Sequence, residues 1–300
     1  MRLLLALICA IPVFAAAQSP VTLTPALVEA GSPELIHVHS PCLKIEGQWL
    51  GHPIVFFRSH GELAHGDLAR SDPDWYALAG VDVEATPGPS KLTLTCEQGT
   101  SAGAIPRDLS LPVTIHPAHY RTGALTVPPK FVEPGPEALQ QIDAEKKLKE
   151  KLFAQAEAST APPIWSGSFL APVRAAPTDS FGTRRMFNGK LASIHKGTDF
   201  RAATGTPVHA GNAGVVLLAQ PLYYEGNCVM IDHGLGLISI SMHLSRIDVK
   251  PGQHIARGQQ LGLSGATGRV TGPHLHWAIR WQGAMLDPAK LLRLNLDKLR

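Results

Sequence analysis

The chain has 300 residues, a formal net charge of +3 and 17% charged residues. That length accommodates two domains, and charge this sparse, with no concentrated basic patch, excludes a nucleic-acid partner. With 28 glycines and 25 prolines the sequence favours many turns between short strands.

Residues 1–17 read as a secretory signal peptide. Arg2 is the positive flank, residues 3–14 are an apolar core too short to span a bilayer, and Ala15-Ala16-Ala17 offers small residues for cleavage before Gln18. Ile8 is bulky where a lipidation signal at Cys9 would want a small residue. The mature chain is expected to be exported, periplasmic or secreted, with no stable membrane span after signal cleavage. Cys42, Cys96 and Cys228 remain. An exported chain can oxidise its thiols, and Cys42 and Cys96, both in strand-like stretches, are the expected pair. Cys228, within Asn227-Cys228-Val229-Met230-Ile231, reads as a buried small apolar residue.

Residues 18–127 alternate as strands do. Ile36 and Val38 interleave with His37 and His39, and Leu92, Leu94 and Cys96 with Thr93 and Thr95. Residues 53–57 and 111–115 are further strands, and Thr86-Pro87-Gly88-Pro89 is a turn. Short strands at this spacing predict a β-sandwich. His37, His39, His52, His60, His65, His116 and His119 are scattered and read as polar surface.

Residues 128–163 read as a Pro-rich and helical linker. Pro136 suits a first helical turn, and residues 137–158 are rich in Ala, Glu, Lys, Leu and Gln. Leu139, Ile142, Leu148, Leu152 and Phe153 make an interrupted apolar stripe, which predicts light packing and solvated charges. Residues 164–300 return to short strands at 215–218, 229–231, 237–240 and 261–263, with a short helix or docked tail after Asp287.

Chemistry concentrates in this last part. In His274-Leu275-His276 the two imidazoles project from one face of a strand, while Leu275, Trp277, Ile279 and Trp281 share the other. Upstream lie His195-Lys196-Gly197-Thr198-Asp199, then His243, then the glycine-rich loop Ser264-Gly265-Ala266-Thr267-Gly268-Arg269. Two histidines on one face with a further His and a carboxylate form a metal-site pattern suited to zinc. His209, His233 and His254 read as structural.

From about residue 166 to 292 the sequence resembles the lysostaphin-like zinc metalloendopeptidases of bacterial peptidoglycan. The likeness runs through Phe181-Gly182-Thr183-Arg184-Arg185-Met186-Phe187-Asn188-Gly189-Lys190, then residues 195–200, 231–236 and 265–277, in the family's order. Residues 75–82 and 125–132 resemble the immunoglobulin-like domain that precedes this peptidase in some exported members. The fold expected is therefore mainly β: an N-terminal immunoglobulin-like β-sandwich, a helical linker, and a C-terminal β-rich lysostaphin-like peptidase domain.

The resemblance implies that His195, Asp199 and His276 bind Zn2+, leaving a fourth position for water. It makes His274 and His243 the catalytic residues and peptidoglycan peptides the partner, with a cell-wall or divisome partner conceivable through the N-terminal domain. The chain has no HExxH glutamate, so an imidazole must take the proton of a metal-activated water. The sequence leaves open which of His274 and His243 does so. Arg184 and Asn188 are candidates either to line the groove or to support the fold, and Thr271 either to bond near the site or to hold its loop. The family often has tyrosine two residues before His243, where this chain has Ser241; regular alternation would put Ser241 on the face of His243. The competing reading is a non-catalytic regulator that activates cell-wall amidases through the same fold.

Overall fold

The computed structural model describes residues 19–58, 74–100, 103–124, 134–159, 163–187 and 190–299. The signal segment 1–17, His60, His65 and Asn188 lie outside the described residues.

The N-terminal region contributes β1 (Val21–Thr24), β2 (Pro33–His39), β3 (Lys44–Trp49), β4 (His52–Val55), β5 (Phe57–Arg58), β6 (Asp74–Gly80), β7 (Gly88–Thr100) and β8 (Gly103–Ile115). They pair as two four-stranded antiparallel sheets, ordered β1-β2-β6-β5 and β4-β3-β7-β8. The alternation read from the sequence is what they obey. Ile36 and Val38 of one sheet and Trp49, Leu92 and Leu94 of the other are buried in a common apolar core. Cys42 and Cys96 are disulfide-bonded as expected, with Cα atoms 5.6 Å apart, tying the segment after β2 to β7. Cys228 is a free, buried thiol.

The chain then runs through β9 (Thr122–Ala124) into α1 (Pro136–Glu157). Next come β10 (Pro177–Asp179), β11 (Arg184–Phe187), β12 (Lys190–Ile194), β13 (Thr198–Phe200), β14 (Pro207–His209), β15 (Gly214–Leu222) and β16 (Gly226–Asp232). The last elements are β17 (Leu237–Ile247), β18 (His254–Ile255), β19 (Gln260–Ser264), β20 (Leu275–Trp281), β21 (Ala284–Leu286) and the short α2 (Pro288–Leu291). One ten-stranded sheet carries most of these strands, with the central path β10-β13-β20-β17-β16-β15-β18. β9 pairs in parallel with β11 in a separate three-stranded sheet, so a strand from the first 127 residues completes a wall of the C-terminal region.

Helix α1 is the largely solvated, lightly packed element expected, with Ala156 its one buried residue. Leu148, Leu152, Phe153 and Ala156 pack on Leu218, Leu222, Met230 and Ile240 of the large sheet. Three of its charged residues are anchored on the sheet: Lys149 pairs with Glu225, Glu157 with Arg280, and Glu145 accepts the Tyr223 backbone N–H at 2.9 Å, while Asp143, Lys146, Lys147 and Glu150 stay exposed. The interrupted stripe was enough because one helix face meets a ready sheet surface, and the acidic side chains satisfy donors at the β15–β16 turn.

The N-terminal sheets and the C-terminal region also touch. The Met285 N–H donates to Asp82 Oδ2 (2.7 Å), the Asp287 N–H to the Gly31 carbonyl (2.7 Å), and Lys290 pairs with Glu29 (2.7 Å). Glu34, fully buried near Lys290, bonds the Ser32 hydroxyl, and burial pushes its carboxyl up to about 8.

Candidate metal centre

Strand register builds the centre. β13 and β20 are antiparallel with Asp199 opposite His276 and Thr198 opposite Trp277. Residues directly opposite in such a pair share a face. Asp199 and His276 therefore leave the sheet together, while Leu275, Trp277, Ile279 and Trp281 enter the core at 0 to 2% exposure. His195 arrives on the turn before β13, its backbone N–H bonded to the Thr183 carbonyl at 2.9 Å. Gly197 makes this approach feasible: a Cβ there would collide with the His276 ring and lie 2.7 Å from the Trp277 carbonyl.

Three donor atoms meet at one point. Asp199 Oδ1 lies 3.0 Å from His195 Nε2 and 2.8 Å from His276 Nδ1, and the two ring nitrogens are 3.0 Å apart. All three residues are buried. His195 Nδ1 lies 3.0 Å from the Ser180 carbonyl. A carbonyl only accepts, so Nδ1 carries a proton and Nε2 is the atom turned to the centre. Burial raises the Asp199 carboxyl, but the hydrogen bonds and charges of His195 and His276 outweigh it and hold the group well below the usual range. Burial lowers His276, opposed by its bond to Asp199. Two buried imidazole nitrogens and one ionised carboxylate oxygen are a donor set fit for a divalent transition cation.

Two more imidazoles face this centre. His243 Nδ1 donates to the Thr267 carbonyl (2.9 Å) and His274 Nδ1 to the Gly272 carbonyl (2.8 Å). Both therefore turn Nε2 inward, that of His274 lying 3.7 Å from Asp199 Oδ1. The His243 ring is 4.9 Å from that of His274 and 6.0 Å from that of His276. Burial, with repulsion from His276 and His274, pushes His243 down to about 3, so it is neutral at pH 7.

His243 reaches the site through a break in its strand. The β16–β17 register shifts so that the one residue between Asn227 and Val229 faces two between Ser241 and Leu244, and His243 has φ +64°. This is a β-bulge, which re-aims one side chain. Ser241 stands opposite Trp277 and is buried, so it faces the core rather than the site. The alternation expected from 241 to 243 fails because the extra residue switches faces.

A cavity of about 380 Å3 opens over the centre, lined by His243, His274, Thr271, Arg121, Arg185 and Arg269 among others. Arg185 was not singled out from the sequence. Its Nη2 lies 3.2 Å from Asp199 Oδ2 and 3.1 Å from Asp179 Oδ2, and Asp179 in turn lies 3.3 Å from His195 Nδ1. It thus holds the oxygen of Asp199 that faces away from the centre. Its neighbour Arg184 is exposed. The Arg-Arg pair signalled one inward and one outward residue on β11, but only the strand's placement tells which. Arg121 could not be found from sequence at all, because it enters through the β9–β11 pairing. His233 is buried with Nδ1 donating to the Ala213 carbonyl (2.7 Å) and Nε2 meeting Ser239 Oγ (2.8 Å), while His209 and His254 lie away from the cavity lining.

Residues 193–288, which contain all five of these side chains, match the model of peptidase family M23. This segment is a peptidase family M23 domain. The M23 domain is 44% identical over 114 residues to the peptidoglycan DD-endopeptidase ShyA of Vibrio cholerae, which is 38% of this chain and 26% of that protein. It is 38% identical over 98 residues to the DD-carboxypeptidase/endopeptidase Mpg of Neisseria meningitidis, 33% of this chain and 23% of that protein. The match therefore spans about a quarter of the length of these curated relatives. The solved structure of a peptidase M23 from Pseudomonas aeruginosa is similar over more of the chain. It shares 27% identity and a TM-score of 0.63, covering 88% of this chain and 94% of that one.

Proposed function

We propose that this chain is an exported, zinc-dependent peptidoglycan hydrolase that cuts peptide bonds in the cross-link or stem, with DD-endopeptidase activity as its first expectation. The observation carrying this reading is the convergence of His195 Nε2, Asp199 Oδ1 and His276 Nδ1 beneath two inward-facing imidazoles, His243 and His274. The likeness to ShyA and Mpg supports the substrate class. Zn2+ bound there supplies a Lewis acid for the scissile carbonyl and brings the pKa of water down to about 7.

The remaining work falls to the chain. His274 and His243 each turn Nε2 toward the centre, their Nδ1 atoms being held by the Gly272 and Thr267 carbonyls. One of them accepts the proton of the attacking water and passes it to the leaving amine. With His243 pushed down to about 3, it is the weaker base of the two, which favours His274 for the proton transfer and leaves His243 to hold the substrate or share that work. Arg185 orients Asp199 by holding its Oδ2. The buried wall from Leu275 to Trp281 fixes His276 against Asp199.

The regulator reading is disfavoured by the complete donor set, which an amidase activator has no use for. The N-terminal double sheet, which we read as immunoglobulin-like, is the proposed contact for a cell-wall or divisome partner.

The test is muropeptide mass spectrometry of purified sacculi incubated with zinc-loaded protein, beside a His274→Ala control. Cross-linked dimers are expected to disappear only with the unsubstituted chain. Intact dimers on sacculi of several cross-link chemistries, with zinc bound, contradict the proposal.

A further inference from the structure

The N-terminal sheet carries a second group of the same composition. His37 and His39 alternate with the fully buried Ile36 and Val38 on β2, so both imidazoles stand on the outer face. β2 and β6 are antiparallel with His39 opposite Asp74 and His37 opposite Tyr76. Asp74 is thus the direct partner of one histidine and the diagonal neighbour of the other. The His37 ring stacks on Tyr76 with centroids 4.8 Å apart and planes 13° from parallel, which orients its Nε2 along the strand. His37 Nε2 lies 2.8 Å and His39 Nδ1 2.7 Å from the same oxygen, Asp74 Oδ1.

The parallel with the M23 centre is close. There, too, two imidazole nitrogens from different ring positions, one Nε2 and one Nδ1, gather on a single carboxylate Oδ1, at 3.0 and 2.8 Å. Two borderline imidazole nitrogens beside one hard carboxylate oxygen, held on a pair of strands, suit zinc and its transition-metal neighbours better than calcium or magnesium, which take all-oxygen sites. The two sites differ in exposure: the His39 side chain is 67% exposed and His37 and Asp74 about a third. Water completes the coordination on the open side, and the site binds more weakly than the buried one.

We propose that His37, His39 and Asp74 form a second divalent transition-metal site that clips β2 to β6 on the outer face of the N-terminal sheet. None of its residues lines the cavity of the M23 domain. The proposal is therefore independent of the peptidase reading.

Zinc stoichiometry of the untagged chain tests it, measured by equilibrium dialysis and elemental analysis at micromolar free zinc. Two zinc ions per chain are expected, falling to one in His39→Gln and in Asp74→Asn, with activity on sacculi unchanged in both. His195→Ala is expected to lose the other ion and keep this one, which separates failure of one site from failure of the other. A stoichiometry equal in the unsubstituted chain and His39→Gln overturns the proposal: the three side chains are then a hydrogen-bonded cluster and nothing more. Should a variant fail to fold, diethyl pyrocarbonate footprinting of the unsubstituted chain decides. Zinc protection of His37 and His39 is expected, and equal modification with and without zinc is the contrary result.

Discussion

Arg185→Ala separates the metal-holding role of the Asp199 carboxylate from its mere presence. In the native chain Asp199 uses Oδ1 toward the two histidines and Oδ2 toward Arg185, 3.2 Å away. Arg185 also holds Asp179, 3.1 Å away, which touches His195 Nδ1. Removing the guanidinium lets Asp199 rotate and leaves two carboxylates facing one another without their shared cation. The Asp199 side chain is 11% exposed and that of Arg185 22%. A hydrogen bond to a charged group in such a setting contributes about 1.5–3 kcal/mol. Residues that orient metal ligands typically change affinity by about 10–100-fold, the same range in free energy. Zinc affinity measured by competition with a chromophoric chelator is expected to fall by about that factor. Arg185→Lys, with a point charge able to serve one carboxylate at a time, is expected to lie between. A folded Arg185→Ala chain with the native zinc affinity refutes this account of how Asp199 is held.

Three further outcomes follow from groups outside the centre. Opening the Cys42–Cys96 bond, by reductant or as the double serine variant, frees a loop with a sequence separation of 54. On the chain-entropy account it costs about 4 kcal/mol, read as a lower melting temperature for the N-terminal sheets. His233, fully buried and pushed down to about 4 by burial, stays neutral in the fold while the unfolded chain takes up a proton near 6.5. Stability is therefore lost as pH falls from about 6.5 to 4, by up to about 3 kcal/mol, and denaturant titrations of His233→Gln should lack that slope. Glu34 works in the opposite direction. With its carboxyl raised to about 8 against 4.5 in the open chain, its contribution is full below 4.5 and lost as pH rises toward 8. Glu34→Gln is expected to raise stability at pH 7 by about 3 kcal/mol; an unchanged or lower value contradicts the buried, protonated reading.

Much of the centre was legible because strand periodicity and motif order are local properties. The alternation in His274-Leu275-His276 and the apolar face that follows gave the orientation of β20 and the membership of its core. The cysteine pair and the strands at 36–39 and 92–96 were legible for the same reason. What escaped was set by contacts distant in sequence. The bulge at His243 is decided by pairing with β16, and nothing in Ser241-Met242-His243 announces the switch of faces. Arg121 joins the cavity wall through β9, some sixty residues before its partner strand β11. The histidines of β2 looked scattered because Asp74, which gathers them, lies 35 residues beyond His39. Three helix charges, Glu145, Lys149 and Glu157, were not told apart from their solvated neighbours because their partners Tyr223, Glu225 and Arg280 lie far along the chain.

The most direct test of the metal-centred account is an activity titration. Metal-free protein carrying His39→Gln, which removes the proposed outer site, is titrated with zinc while cleavage of a purified cross-linked muropeptide dimer is followed. Activity is predicted to start near zero, rise with zinc and level off at one equivalent, with no rise in His276→Ala. Full cleavage by the metal-free chain, or a zinc-saturated chain that leaves the dimer whole, contradicts it.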